Sequence, residues 1–332
     1  MHPITGISIV IPNYNGVNLL PQTLPPLLEA IKTTGMAYEI IVADDASTDG
    51  SVDMLARDFP SIQVLQLPSN GGFSKTANQG IAHARYPWVL LLNSDVKLTL
   101  DYFEKILPYT KEKMLLGVTG QIIGWEDDTI QDGGKYPVFQ GAKMKTSYDY
   151  VPTHLTGETE RYPCFYLSGA NAFLNKEVFL KIGGFNELFS PFYVEDAELS
   201  LRAWRLGYAS YYEHSAICRH RTSSTIGIPQ RKKEVQRIYN RNKYLLHALH
   251  LDGIYLLNWW AQLKLELLFR LLTFRWMPLY AVVDFLKLIP AIRKSRKNLR
   301  NLQPTTRLVA VPVLFARMQQ TLQAKSIQLF KR

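Results

Sequence analysis

Polar residues standing at the ends of apolar runs are the first features of this sequence that could do chemistry. In VLLLNSDVKL (89–98) an aliphatic run stops at Asn93-Ser94-Asp95 before apolar residues resume. YEIIVADDA (38–46) reaches Asp44-Asp45, and GISIVIPNY (6–14) runs through Pro12 into Asn13-Tyr14-Asn15. Later, VEDAELSLR brings Glu195-Asp196, and ICRH ends on His220. A carboxylate at such a position can accept from a ring N–H of a bound ligand. It can also hold a divalent cation through oxygen, or take the proton of an attacking hydroxyl. Blander roles compete: Ser47 and Asp49 in DASTDG suit helix capping, and Glu195-Asp196 suit the first turn of a helix.

These residues need a scaffold that brings them together. Segments 6–14, 38–46, 61–68, 88–95 and 115–123 read as strands, separated by segments of mixed polarity that read as helices. Short, nearly continuous aliphatic runs suit strands covered on both faces, which predicts a mainly parallel sheet flanked by helices. Ligands of such sheets sit beyond the carboxyl ends of the strands, so three polar clusters fall on one rim. DGGKYPVFQGAKMK reads as a hairpin, VEDAELSLRAWRLGY as a helix with Glu198 and Arg202 paired four apart, and YASYYEHSAICRH as a further strand.

With 332 residues, 47% of them hydrophobic, the chain has material for about two units and a sizeable core. Two distant cysteines make no disulfide framework and favour a reducing compartment. Residues 1–28 carry no charge, but Pro12, Pro21, Pro25 and Pro26 break them as a span and no basic start marks a signal peptide, so a cytoplasmic protein is expected. The net charge of +10 sits in the last 69 residues, where 14 Lys and Arg face only Glu266 and Asp284, a local +12. There Asn258, Gln262, Glu266, Arg270 and Thr273 form one narrow polar stripe on an otherwise apolar helix. Its longest charge-free run, 253–263, is too short to span, so it suggests a helix lying in a membrane interface, against docking on the protein's own core or a partner subunit.

The ordered elements SIVIPNYN, VADDASTDGS, NGGFSKTANQG, LLLNSDV, LSGANAFLNKEVFLKIGGFNE, YVEDAELSLRAWRLGY and ICRH closely resemble the family 2 glycosyltransferases, over about residues 6–245. The bacterial members that build cell-surface polysaccharides, rhamnosyltransferase-like proteins among them, look most similar. The resemblance implies an inverting enzyme of GT-A fold in residues 1–240, with 241–332 as a basic helical extension. It implies a nucleoside diphosphate sugar as donor and a hydroxyl of a growing glycan as acceptor; a lipid-linked glycan would suit the basic apolar tail. Pro12, Tyr14, Asn15, Asp44 and Asp45 would then line the nucleotide slot, Asp45 toward the base and Asp44 toward the following loop. Lys75, Asn78 and Ser94 would add donor contacts. Asp95 takes the place of the last acid of an Asp-x-Asp motif, with Asn93 in place of the first. Asp95 and His220, rather than His214, would hold Mn2+ or Mg2+. Asp196 would be the base, Glu195 would bind hydroxyls, and Ser168, Gly169 and Ala170 would line the sugar.

Other readings carry different signatures. A nicotinamide enzyme wants Gly-x-Gly-x-x-Gly after the first strand, where this chain has PNYNG. A nucleic-acid binder is disfavoured because the basic residues alternate with apolar faces. A non-catalytic sugar-binding scaffold on the same fold, and transfer to polyprenyl phosphate, remain as alternatives. Peripheral attachment to the inner face of an anionic membrane, or a homo-oligomer through the C-terminal helices, is expected of the tail.

Overall fold

The structure, a computed structural model, describes residues 4–153, 160–221, 229–273, 277–302 and 308–331. Its first part runs β1 (Gly6–Asn13), α1 (Leu20–Lys32), β2 (Ala37–Asp44), α2 (Ser51–Asp58), β3 (Gln63–Gln66), α3 (Phe73–His83) and β4 (Trp88–Leu92). There follow β5 (Val96–Leu98), α4 (Tyr102–Ile106), β6 (Leu115–Gly124), β7 (Ile130–Asp132), β8 (Gly134–Gln140), β9 (Lys143–Pro152) and β10 (Tyr162–Pro163). Next come β11 (Asn171–Asn175), α5 (Lys176–Lys181), α6 (Glu195–Arg205), β12 (Ala209–His220) and α7 (Pro229–His250). The chain ends with α8 (Gly253–Leu272), α9 (Met277–Lys287), α10 (Ile289–Asn301), α11 (Val311–Gln323) and β13 (Ile327–Lys331).

The main sheet has the order β10-β12-β6-β11-β4-β1-β2-β3, with β5 added on β12 and β7 on β6. Pairs β1–β2, β1–β4, β2–β3 and β6–β12 are parallel. Strand β11 enters antiparallel between β4 and β6 within this mainly parallel sheet. The parallel register sets Asn13 beside Asp44 at the carboxyl rim. Ile7, Ile9 and Ile11 face one apolar layer with Leu24, Leu27 and Tyr102. Val10 and Ile41 face the other, with Ala77, Ile81 and Leu199. Both faces are covered, as the aliphatic runs require.

A third apolar cluster joins the body to the C-terminal helices: Phe165, Phe189 and Leu201 pack with Leu245, Trp259, Phe285 and Phe315. The hairpin β8–β9 pairs with β13, so the chain's end returns to the body. In α8 the middle of the polar stripe meets the β8–β9 hairpin: Gln262 Oε1 accepts from the Ala142 amide, and Glu266 pairs with Lys143, while Asn258 and Thr273 at its ends are exposed. Trp259 and Leu263 are buried, and other apolar residues of α8, including Leu257, Leu265 and Phe269, are exposed. Residues 274–276, the end of the predicted helix, lie outside the described residues.

Candidate active site

At the rim of β1 and β2 the two neighbouring aspartates diverge, as adjacent residues of a strand must. Asp44 is fully buried and accepts from Asn13 Nδ2 at 2.8 Å, from Ser47 Oγ at 2.6 Å and from the Ser47 amide at 2.9 Å. Asp45 instead accepts from the amides of Gly71 and Gly72, at 2.7 and 2.9 Å. It thereby folds the NGGF loop toward β2. Gly72 has φ +80°, and a Cβ there would stand 2.7 Å from the Pro191 carbonyl, so only glycine serves. Asp45, Pro12, Tyr14, Gly72 and Phe73 line a cavity of about 510 Å³, closed on its far side by Pro191, Phe192, Tyr193 and the α7 residues Val235 and Ile238. A carboxylate oxygen accepts more than one hydrogen bond, so Asp45 can hold the loop and still receive a donor from the cavity.

Phe73, Phe192 and Tyr193 also wall a second, larger cavity of about 890 Å³. Into it come Asn93 from the end of β4, His220 from the end of β12, Ser168-Gly169-Ala170, and Glu195-Asp196 from the first turn of α6. Beside it His220 Nε2 stands 3.4 Å from Asp95 Oδ2, while His220 Nδ1 lies 3.2 Å from Gln131 Oε1. An amide oxygen accepts, so Nδ1 carries the proton and the Nε2 lone pair faces the carboxylate. Two acceptors facing one another, with Asp95 Oδ1 buried and unpartnered, suit a cation between them. Among the described residues no cluster of three or more acidic, His or Cys ligands exists. Asp95 and His220 therefore offer an incomplete shell that a phosphorylated ligand would finish.

Glu195 and Asp196 are held at the cavity by a strained approach. Tyr193 and Val194 have φ of 73° and 75°, a conformation that bulky and β-branched residues rarely adopt. Buried Asn242 of α7 places Nδ2 at 2.7 Å from the Phe189 carbonyl, 2.9 Å from that of Phe192 and 2.8 Å from that of Tyr193. Arg202 fixes α6 from behind. It pairs with Glu198 at 2.7 Å, and its Nη1 and Nη2 donate to the carbonyls of Ile182 and Gly184. Asp196 Oδ2 lies 3.5 Å from the Gly169 amide, and its Oδ1 accepts from Ala197. Burial, and then the Asp196 charge, push the Glu195 carboxyl well above the usual carboxylate range. Its Oε2 is buried and unpartnered.

With this geometry in view, the similarity to other proteins can be stated. A profile of "Glycosyl transferase family 2" matches residues 8–183, just over half of the chain. The chain belongs to glycosyl transferase family 2. It is 24% identical over 214 residues to an N-acetylglucosaminyl-diphospho-decaprenol L-rhamnosyltransferase of Mycobacterium tuberculosis (strain CDC 1551 / Oshkosh), covering 58% of this chain and 69% of that protein. It is 25% identical over 272 residues to an Escherichia coli chondroitin synthase, covering 72% of this chain and 37% of the synthase. Among solved structures, GalNAc-T7 with UDP, GalNAc and Mn2+ superposes with a TM-score of 0.67 at 14% identity, over 98% of this chain and 59% of that one. That likeness establishes the GT-A fold.

Within this family 2 domain the residues singled out from sequence separate into two groups. Pro12, Tyr14 and Asp45 share one cavity; Ser168, Gly169, Ala170, Glu195, Asp196 and His220 share the other, with Asp95 behind His220. Five expected donor contacts line neither cavity. Asn15 Oδ1 accepts from the Thr48 amide, and Asp44 serves the same loop. Asn78 is spent on both backbone groups of Phe185, clamping the Gly-Gly-Phe turn. Lys75 folds back toward Gly71. Ser94 is half-buried beside Asp95 but outside both linings. His214 lies in the middle of β12 near Tyr162, and lines neither cavity. Sequence reasoning missed Asn242, Gln131 and the Phe192-Tyr193 wall. Only the acceptor on Gln131 for a neighbouring histidine has a chemical logic, and nothing in the local sequence flags it.

Proposed function

We propose that this family 2 protein is an inverting glycosyltransferase that moves a sugar from a nucleoside diphosphate to a hydroxyl of a lipid-linked glycan in surface polysaccharide synthesis. What supports the reading is the shared wall: a slot holding a carboxylate suited to a base N–H adjoins a cavity lined by Asp196 and His220, with Asp95 behind His220. The base lies against Pro12, Tyr14 and Asp45. Asp95 and His220 would hold Mn2+ or Mg2+, which would supply charge neutralisation for the leaving diphosphate. The sugar sits by Ser168, Gly169 and Ala170. Asp196, across the cavity, accepts the proton of the attacking hydroxyl, while protonated Glu195 donates a hydrogen bond to a sugar oxygen.

Residues 1–240 are the catalytic unit in this reading, and 241–332 attach it to an anionic membrane surface as a peripheral protein. Among the described residues no helix is long and apolar enough to cross a membrane. The exposed apolar face of α8 and the basic tail support surface attachment. The test is a panel of nucleoside diphosphate sugars with Mn2+, scoring released nucleoside diphosphate with and without glycan acceptors. A donor that turns over in the full chain and not in Asp196→Asn supports the enzyme. Silence with every donor and metal favours a sugar-binding scaffold.

A further inference from the structure

Where the larger cavity meets β9 and α7, its wall is cationic beyond what its acids neutralise. Lys145 of β9 and Lys243 of α7 line it, and Lys143 and Arg270 lie near enough to act on Lys243. Glu266 is the acid of this group, and it is taken by Lys143 and by Gln262. Among the described residues Lys145 Nζ meets only the neutral Gln140 Oε1. Lys243 makes no ion pair among the described residues; its Nζ lies 4.2 Å above the Tyr239 ring centre. Burial, followed by repulsion from Lys143, Lys145 and Arg270, pulls Lys243 down to about 8. Like charges gathered in a half-buried wall are relieved by an anion.

This corner is set apart from the nucleoside slot. Helix α7 presents Val235 and Ile238 to the slot, then Tyr239, Lys243 and Leu246 to the larger cavity. At the helical rise, Lys243 lies about 12 Å along the axis from Val235. The same corner adjoins α8, which contributes Glu266 and Arg270 on one side and exposed Leu265, Leu268 and Phe269 on the other. Charge inside the mouth and apolar surface beside it match an amphiphile with an anionic head.

We propose that Lys145 and Lys243, backed by Lys143 and Arg270, bind the phosphoryl group of the acceptor, whose apolar tail runs along α8. The acceptor is then a lipid with a phosphate or diphosphate between its tail and its sugar. This rests on the glycosyltransferase reading of the cavity and adds the acceptor's linking chemistry and its residues.

The experiment is calorimetric titration of the full chain with geranyl diphosphate, inorganic pyrophosphate and geraniol, in EDTA so that metal-bridged donor phosphates contribute nothing. Geranyl diphosphate should bind, pyrophosphate at least fivefold more weakly, and geraniol not at all. The pair Lys145→Gln and Lys243→Gln should weaken geranyl diphosphate at least tenfold. Lys243→Arg should restore most of that loss and so exclude misfolding, and nucleoside diphosphate affinity with Mn2+ should stay unchanged. Unaltered geranyl diphosphate binding in the double variant would overturn the subsite. Parallel loss of nucleoside diphosphate affinity would give the lysines to the donor instead, and equal binding of pyrophosphate would remove the lipid. None of these readouts needs turnover, so loss of the enzymatic reading would be seen separately, in the donor panel.

Discussion

Glu195 and Asp196 are adjacent carboxyls whose surroundings divide their labour. Burial and the neighbouring charge favour the neutral form of Glu195, which leaves it a hydrogen-bond donor. In the proposed reaction Asp196, at the same rim, would accept the proton of the attacking hydroxyl. Replacing Glu195 by Gln preserves a neutral donor, so kcat/KM should fall less than about tenfold. Asp196→Asn removes the base and should cost at least ~100-fold in kcat with nucleotide affinity nearly intact; steady-state kinetics beside nucleotide titration separate the two. Normal turnover in Asp196→Asn would end the base assignment. At Asp95 the expected loss is of a different kind. Asp95→Ala should weaken Mn2+-dependent nucleotide binding by roughly tenfold, ~1.4 kcal/mol, and leave binding in EDTA unchanged.

At the scale of elements, the loop 189–194 carries most of the site's preorganisation. It walls both cavities, meets the glycine loop through the Phe73 amide on the Pro191 carbonyl, and leads into α6 through two left-handed residues. Arg241 ties its Ser190 carbonyl to α7, and Asn242 ties those of Phe189, Phe192 and Tyr193. Asn242→Ala strands those acceptors and should destabilise the protein by about 1–3 kcal/mol in urea unfolding. Helix α7 also has a pH-sensitive joint. His247 accepts the Met144 amide at Nε2 and donates from Nδ1 to the Lys243 carbonyl, stacked on Trp259. Burial holds it down to about 4. The unfolded chain takes up that proton near pH 6.5, so stability falls as pH drops from 6.5 toward 4, by up to about 3 kcal/mol. His247→Gln should flatten that part of the pH–stability curve; an unchanged slope would acquit the histidine.

Over the whole molecule, the C-terminal helices do two things at once. They share a core with the catalytic body through Trp259, Phe285 and Phe315, and α8 turns an apolar face outward. In the proposed attachment the tail's charge of +12 would draw that face to anionic surfaces. Replacing Leu265 and Phe269 with Ser leaves the shared core untouched and should abolish co-sedimentation with anionic vesicles while donor turnover in solution persists. Retained sedimentation would point to the basic residues alone, and a drop in oligomer size would point to a second copy of this chain on α8.

What the sequence determined by itself lies in short-range pattern. Aliphatic runs of strand length, each ending in Asn13, Asp44-Asp45 or Asn93-Ser94-Asp95, specify a covered parallel sheet and put its polar rim at one edge. The acids opening α6 and the polar stripe of α8 are equally local signals. Tertiary structure alone decided which of those groups meet: that the slot of Asp45 and the cavity of Asp196 share a wall, that Asn78 and Asn15 are consumed by backbone, and that Gln262 and Glu266 of the α8 stripe meet the β8–β9 hairpin. The physical reason is that hydrogen-bond partners and burial are set by elements far apart along the chain. Asn242 and the loop it holds are about 50 residues distant, and such pairings leave no periodic trace in composition.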